Sequence, residues 1–135
     1  MTRINVVPVQ ELCDEHLRAE FREITRIPSH IIKCDYLPNL EDQPADYVLG
    51  SGHVKFFYDK IYFIKMRFYD LQDEMTKRGF KADKGLMSFF HRCPARLYKD
   101  YTPTAQALTL NRKRIQKRWP KNAHYHGIRW NDLEV

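Results

Sequence analysis

A glutamate set among arginines near the start of the chain is the first feature that could do chemistry. Glu23 directly follows Arg22 and precedes Arg26 by three positions, within one turn of a helix. A carboxylate in such a place can stabilise a developing positive charge or shuttle a proton. The same arrangement is common in ordinary ion pairs on helix surfaces, so the residue types by themselves favour that structural interpretation.

Metal and cofactor chemistry has weaker support. His91 with Cys93, and His124 with His126, form two pairs whose members are separated by one residue. Structural zinc sites generally have wider spacing within a pair and often more thiolates. The sequence also lacks a Gly-rich phosphate loop, a Walker pattern and a Gly-x-Ser-x-Gly elbow. We therefore expect neither a metal ion nor a cofactor.

Basic residues concentrate in two stretches that could contact one polyanion. Arg18, Arg22 and Arg26 recur every four residues, which places them along one stripe of a helix. A second cluster falls within seven positions and comprises Arg112, Lys113, Arg114, Lys117 and Arg118. Together with a formal net charge of +6, this pattern predicts contacts with nucleic-acid phosphates on both sides of a groove. Two separately solvated helix faces are the alternative.

Three amphipathic helices are predicted to position these groups. The first covers residues 11–33, and Pro28 is expected to kink or interrupt it. The second runs from residue 57 to a glycine stop at Gly79, with apolar residues at alternating spacings of four and three. The third runs from residue 104 to about residue 119. The positions expected to face the core are Leu17, Phe21, Ile24, Ile27 and Ile31 in the first helix, and Leu108, Ile115 and Trp119 in the third.

The remaining segments are predicted to be long ordered loops around one core. Residues 36–52 and 80–103 contain prolines among mixed polar residues, a composition typical of loops. A chain of 135 residues that is 43% hydrophobic can bury one core. We therefore expect an all-α, single compact domain of about three helices that spans residues 1–135 and is a monomer.

The sequence also indicates where such a protein resides. No stretch approaches the roughly 20 apolar residues that a membrane span needs, and the first residues lack the apolar core of a secretory signal. The three cysteines, Cys13, Cys34 and Cys93, are odd in number and far apart, which is typical of reduced thiols. We expect a cytoplasmic protein with no membrane partner.

Several segments together resemble one known family. Residues 1–5 (MTRIN) and 20–23 (EFRE), the central motif 49–60 (LGSGHVKFFYDK) and residues 77–80 (KRGF) are similar to the phage pyrimidine-dimer DNA glycosylases called the endonuclease V family. The resemblance covers the first 80 residues. Beyond them it reduces to scattered matches around the basic helix and to residues 125–127 (YHG), which are similar to an aromatic C-terminal motif of the family.

The resemblance implies a specific chemistry. Thr2, freed of Met1, would attack the sugar C1′ of a damaged nucleotide through its α-amine and form a Schiff base. Glu23 matches the essential carboxylate of the family, which implies that it stabilises the cationic sugar and promotes the β-elimination that cuts the strand. The implied activity is that of a DNA repair glycosylase with a coupled lyase acting on pyrimidine dimers.

The resemblance also implies the DNA partner and the residues that hold it. Arg3, Arg22 and Arg26 match positions that engage phosphates and the kinked lesion, and His16 matches a neighbour of the active site. Arg112, Lys113, Arg114 and Lys117 would bind the backbone of duplex DNA, whether it contains UV photoproducts or is undamaged. The chain departs from the family at Glu15, which we expect to repel a nearby phosphate, and at Arg18, which could compensate for it.

Two other functions stay open on the sequence. One is a related glycosylase that removes another damaged or modified base, because base choice depends on the shape of a pocket. The other is a non-catalytic DNA-binding protein on the same scaffold. The presence of both Thr2 and Glu23 argues against the non-catalytic protein.

Overall fold

The computed structural model describes residues 2–82, 85 and 87–133, and its architecture is helical. The helices are α1 (Asp14–Glu23), α2 (Arg26–Lys33), α3 (His53–Phe56), α4 (Ile61–Lys77), α5 (Met87–Arg92) and α6 (Ala105–Lys117). Strands β1 (His124–Tyr125) and β2 (Ile128–Arg129) form one small antiparallel hairpin. Short 3-10 turns lie at Val9–Glu11, Ala95–Leu97 and Trp130–Asp132. The predicted all-α fold is confirmed.

The first predicted helix is two helices in the structure. Helix α1 ends at Glu23 and α2 begins at Arg26, so the break falls before Pro28 and not at it. Pro28 lies in the first turn of α2, where a backbone N–H has no partner within the helix and its absence costs little. The predicted core positions of this segment are correct, since Leu17, Phe21, Ile24, Ile27 and Ile31 are each 3% exposed or less.

Helix α4 is the centre of the core. Its buried apolar side chains, Ile61, Ile64, Phe68, Leu71 and Met75, follow the predicted spacing. The helix begins at Ile61, four residues later than predicted, because residues 53–56 form the separate helix α3. Helix α1 packs against α4, and the rings of Phe21 and Phe68 stack with centroids 5.4 Å apart.

The core face of α4 also carries charged residues that α1 neutralises. Arg67 Nε lies 2.8 Å from Glu20 Oε2, and Arg78, the residue that follows α4, lies 3.0 Å from Asp14 Oδ1 through its Nη1. Arg78 also pairs with Glu74 at 2.8 Å. Removing one partner of such a buried pair typically costs about 3–5 kcal/mol, because the other charge is left uncompensated. These pairs therefore fix α1 against α4.

The C-terminal third differs in detail from the prediction. Thr104 caps α6 by accepting a hydrogen bond from Ala107 N at 3.0 Å, as expected of a helix that starts here. Ala107 and Asn111 are the fully buried residues of α6. Of the residues predicted to face the core, Leu108 and Ile115 pack against it but are only partly buried, and Trp119 is also partly buried. Helix α5 and a 3-10 turn lie within residues 80–103, which the sequence predicts to be irregular.

The chain after α6 folds back as the β1–β2 hairpin. His126 and Gly127 form its two-residue turn with φ of 52° and 82°, the positive values that such tight hairpins favour. Asp14 accepts hydrogen bonds from both of their backbone N–H groups, at 3.0 Å and 2.8 Å. Among the described residues, no helix has the length and apolar character to cross a bilayer.

Candidate functional site

A pocket of about 190 Å³ lies between α1, α6 and the N-terminal segment. It contains two carboxylates from α1 and three arginines, one from the N-terminal segment, one from α6 and one from the residue that follows α6. Its lining residues are Arg3, Asn5, His16, Ala19, Glu20, Glu23, Arg114, Ile115 and Arg118. A cavity with one acidic wall and a basic surround can hold an anionic ligand while a cation develops beside the carboxylates.

The N-terminal segment, residues 2–7, runs through the protein interior to reach this pocket. Ile4, Val6 and Val7 are buried, but the segment pairs with no strand among the described residues. Buried backbone groups need hydrogen-bond partners, and here side chains supply them. Ile4 N donates to His53 Nε2 at 2.8 Å, and Asn111 Oδ1 accepts from Val6 N at 2.7 Å and Val7 N at 3.2 Å. These contacts fix the path of the segment.

Glu23 holds the outer end of this segment. Its Oε1 accepts a hydrogen bond from Arg3 N at 2.8 Å. Thr2 is joined to Arg3 by one peptide bond, so the backbone nitrogen of Thr2 lies near the carboxylate. Arg26 Nη1 donates to the Thr2 hydroxyl at 3.3 Å. The structure thus brings together Thr2, Glu23 and Arg26, which are predicted site residues from two parts of the sequence.

Glu20 lines the same pocket but has a structural role. It is 2% exposed, and the guanidinium of Arg67 donates bidentate hydrogen bonds to its carboxylate, from Nε at 2.8 Å and from Nη2 at 2.9 Å. Asn5 Nδ2 also donates to its Oε1 at 2.8 Å. Because both of its oxygens are engaged, Glu20 anchors the segment, and Glu23 is the pocket carboxylate suited to chemistry.

Burial shapes the electrostatics of two other predicted residues. Burial lowers the pKa of His16, which keeps its imidazole neutral near pH 7, and His16 Nε2 donates to the Arg118 carbonyl at 3.1 Å. Burial, followed by repulsion from Arg114, lowers the pKa of Arg3. An arginine remains protonated at neutral pH even so, and Arg3 therefore brings a partly desolvated positive charge to the pocket.

The basic cluster of α6 divides between different faces of the helix. Arg114 lies at the pocket together with Arg118, which the sequence places only in the general cluster. Arg112 instead binds Glu11 through two hydrogen bonds of 3.0 Å and 2.8 Å. Lys113 and Lys117 are exposed and do not line the pocket. Of the four α6 residues predicted to bind DNA, the pocket therefore contains Arg114.

The arginine stripe of the first predicted helix is exposed as expected, but its residues have separate neighbours. Arg18 lies over the ring of Phe80, 4.9 Å from its centroid, whereas Arg26 contacts Thr2 and Arg22 is exposed on the last turn of α1. The Glu15 carboxylate, which departs from the family pattern, has hydrogen-bond partners within the protein. It accepts hydrogen bonds from His124 N and Nδ1, both at 2.8 Å, and thereby fastens β1 to α1.

The two pairs considered as metal ligands, His91 with Cys93 and His124 with His126, do not come together. His126 Nε2 lies 3.7 Å from Glu74, and His124 binds Glu15 as described. Within the described residues, no group of three or more metal-ligating side chains comes together. His91 is exposed on α5, far along the chain from the hairpin.

Sequence reasoning missed the residues that hold the N-terminal segment. Asn111 lies four residues after Ala107 and four before Ile115, so it falls on the inner face of α6, where a polar side chain needs a specific partner. Arg67 likewise lies between Ile64 and Leu71 on the inner face of α4. A polar residue at a core position was the available signal, but the sequence does not indicate which group it would bind.

Comparison with protein-family models gives independent evidence. A model described as "Pyrimidine dimer DNA glycosylase" matches residues 1–88. The matched part of the 135-residue chain includes the N-terminal segment, all of α1 and the central motif, whereas α6 with Arg114 and Arg118 lies outside it.

Proposed function

Because this chain belongs to the pyrimidine dimer DNA glycosylase family, a family of DNA repair enzymes, we propose that it excises cyclobutane pyrimidine dimers through a Schiff base and then cuts the strand. The glycosylase class and the DNA substrate follow from the family. The proposal adds the nucleophile, the lyase step and their residues. The observation that carries it is the 2.8 Å hydrogen bond between Arg3 N and Glu23 Oε1, one residue from the Thr2 nitrogen.

In the proposed reaction, the lone pair of the neutral Thr2 amine forms a bond to C1′ while the glycosidic bond breaks and its electron pair leaves with the base. The resulting ammonium then loses one proton to solvent or carboxylate, and its lone pair expels the ring oxygen O4′ from C1′. The oxygen takes up a proton as the sugar ring opens, and the nitrogen keeps its other proton, which gives a protonated Schiff base. An α-amine has a reference pKa of about 7.7–8.0, far below that of lysine, so a useful neutral fraction exists near pH 7. Met1, which must be removed first, lies outside the described residues.

Glu23 supports both halves of this reaction. Its carboxylate can stabilise positive charge on the sugar as the base departs, and it can accept the C2′ proton in the later elimination. Loss of that proton forms a C2′–C3′ double bond and expels the 3′ phosphate, which cuts the strand. Water then hydrolyses the Schiff base and releases the amine for another cycle.

The basic groups around the pocket are suited to hold a kinked duplex. Arg3, Arg22, Arg26 and Arg114, with the neutral His16 beside them, would engage phosphates and the displaced nucleotide near Glu23. Extruding a base costs least where a lesion has already weakened pairing, so damage lowers the cost of deformation. A monomer with undamaged duplex DNA as a weaker, non-specific partner fits this arrangement.

Borohydride trapping on a panel of duplexes tests the proposal. We expect covalent adducts with duplexes that contain a pyrimidine dimer or an abasic site, and none with undamaged DNA, because borohydride reduces a Schiff base to a stable amine. An adduct on a different base lesion but not on the dimer would identify a related glycosylase instead. Binding to every duplex without any adduct would identify the non-catalytic protein.

We further predict that the exposed lysines of α6 contribute to DNA binding without regard to damage. Within the described residues, Lys113 and Lys117 have no ion-pair partner, so each can release counterions from a phosphate. Replacing both by alanine should weaken binding to damaged and undamaged duplexes alike and lower the slope of log affinity against log salt by about one unit per cation.

Arg112 provides the matched control for that prediction. Arg112→Ala removes one positive charge from the same helix, and because Glu11 already neutralises it, the slope should change by less than the one unit expected for each lysine. Titrations at several salt concentrations measure both. An unchanged slope for the double lysine variant would show that this face of α6 is only solvated.

A further inference from the structure

The central motif, residues 49–60, has no part in the chemistry proposed above, yet its fold directs one side chain to the N-terminal segment. Gly52 has φ of 87°, and a Cβ at this position would lie 2.8 Å from Cγ of Pro44. Glycine is therefore required both by the left-handed backbone and by the close approach. The turn ends where α3 begins, and His53, the first residue of α3, enters the interior and is 3% exposed.

The ring of His53 connects two backbone segments. Its Nε2 accepts the N–H of Ile4 at 2.8 Å, and its Nδ1 lies 2.7 Å from the Val48 carbonyl. A backbone N–H can only donate, so Nε2 must be unprotonated and Nδ1 must carry the proton that it donates to Val48. Burial, the largest effect, lowers the pKa of His53 to about 4, which keeps the ring in this neutral form near pH 7.

Tyr47 completes a clamp around Ile4. Its hydroxyl donates to the Ile4 carbonyl at 3.0 Å, so Tyr47, before α3, and His53, at the start of α3, bind both backbone polar groups of Ile4. The rings of Tyr47 and His53 meet edge to face with centroids 5.5 Å apart, and both pack against Phe57. Ile4 is two residues from Thr2, and Arg3 between them has the bond to Glu23.

We propose that His53 is a positioning residue which, together with Tyr47, sets the place of the Thr2 amine relative to the Glu23 carboxylate by clamping the backbone of Ile4. This inference rests on the proposed function, because it needs the amine as nucleophile. Among the described residues no strand pairs with the segment, so a lost bond at Ile4 leaves the terminal residues held mainly by the contacts of Thr2 and Arg3 and allows them to shift. A displacement of about 1 Å at a reacting group can lower a rate by about 10²-fold.

The experiment uses a duplex with a preformed abasic site, so that amine attack is measured without base excision. His53→Leu removes the acceptor, whereas His53→Gln restores an acceptor close to the position of Nε2. Phe57→Leu is the matched control, since it disturbs the same aromatic cluster and forms no hydrogen bond to the segment. For each variant the single-turnover rate of borohydride trapping, the Kd for the duplex and the Tm are measured.

We expect His53→Leu to lower the trapping rate about 10²-fold with little change in Kd, because the phosphate-binding side chains lie elsewhere. His53→Gln should recover most of that loss. Phe57→Leu should lower Tm at least as much as His53→Leu while trapping near the wild-type rate.

Two results would overturn the inference while leaving the proposed function intact. The first is a folded His53→Leu variant that traps as fast as the wild type. The second is a loss of rate in Phe57→Leu as large as that in His53→Leu, since both would then act only through stability. A wild-type protein that forms no adduct would instead overturn the proposed function, and this inference with it.

Discussion

Glu23→Gln is expected to bind lesion-containing DNA with nearly the wild-type Kd but to lose about 10²–10⁴-fold in its single-turnover cleavage rate, the usual contribution of a positioned acid or base. The amide oxygen of glutamine can still accept the hydrogen bond that Arg3 N donates to Glu23 at 2.8 Å. The N-terminal segment should therefore keep its place. What is lost is the charge that stabilises a cationic sugar and the basicity that accepts a proton.

Cleavage of a dimer-containing duplex under enzyme excess measures the rate, and titration with the same duplex measures Kd. Glu11→Gln is the control, because Glu11 is an exposed carboxylate that pairs with Arg112 outside the pocket. It should cleave at the wild-type rate. If Glu23→Gln also turned over near normally, the role assigned to this carboxylate would be wrong.

The second large effect is expected from moving the α-amine. One alanine inserted before Thr2 should abolish detectable borohydride trapping and lower cleavage by at least about 10²-fold, because the amine is displaced by one residue, roughly 3.5 Å, and 1 Å can already cost that much. Affinity for undamaged DNA should stay nearly unchanged, since side chains and not the terminus bind the phosphates.

Thr2→Ser is the matched variant for this prediction. Serine keeps a small side chain that allows removal of Met1, and it keeps the hydroxyl to which Arg26 donates at 3.3 Å. It should trap and cleave near the wild-type rate. Mass spectrometry establishes the N-terminal residue of each protein, and a fully active enzyme that retains Met1 would contradict the assignment of the nucleophile.

Apolar spacing was sufficient to predict the main helices and most of their inner faces. The apolar residues of α4, spaced by three and four positions, are buried as predicted. So are Leu17, Phe21 and Ile31, on one side of α1 and α2. Burial of an apolar side chain needs no particular partner, so the period alone indicates its direction. The predicted ends of the helices were less accurate, because local turns determine where a helix starts and stops, as at residues 24–25 and 57–60.

The structure brings together the site residues that were predicted from the N-terminal motifs. Residues Thr2, Arg3, His16 and Glu23 lie at or beside one pocket, although 21 positions separate the first from the last. On α6 the predicted residues lie on different faces, because a run of cations indicates charge but not direction. Arg114 faces the pocket, and Arg112, two residues earlier and therefore nearly opposite on the helix, pairs with Glu11.

The sequence by itself thus determined the helical architecture, the positive charge and the family to which the chemistry belongs. Only the tertiary structure decided how the N-terminal segment is held, through Asn111 at Val6 and Val7, Glu20 with Arg67 at Asn5, and His53 at Ile4. The physical reason is that a hydrogen bond is directional and needs one specific partner, which can lie more than 100 positions away. Hydrophobic burial has no such requirement, and its pattern is therefore visible in the sequence.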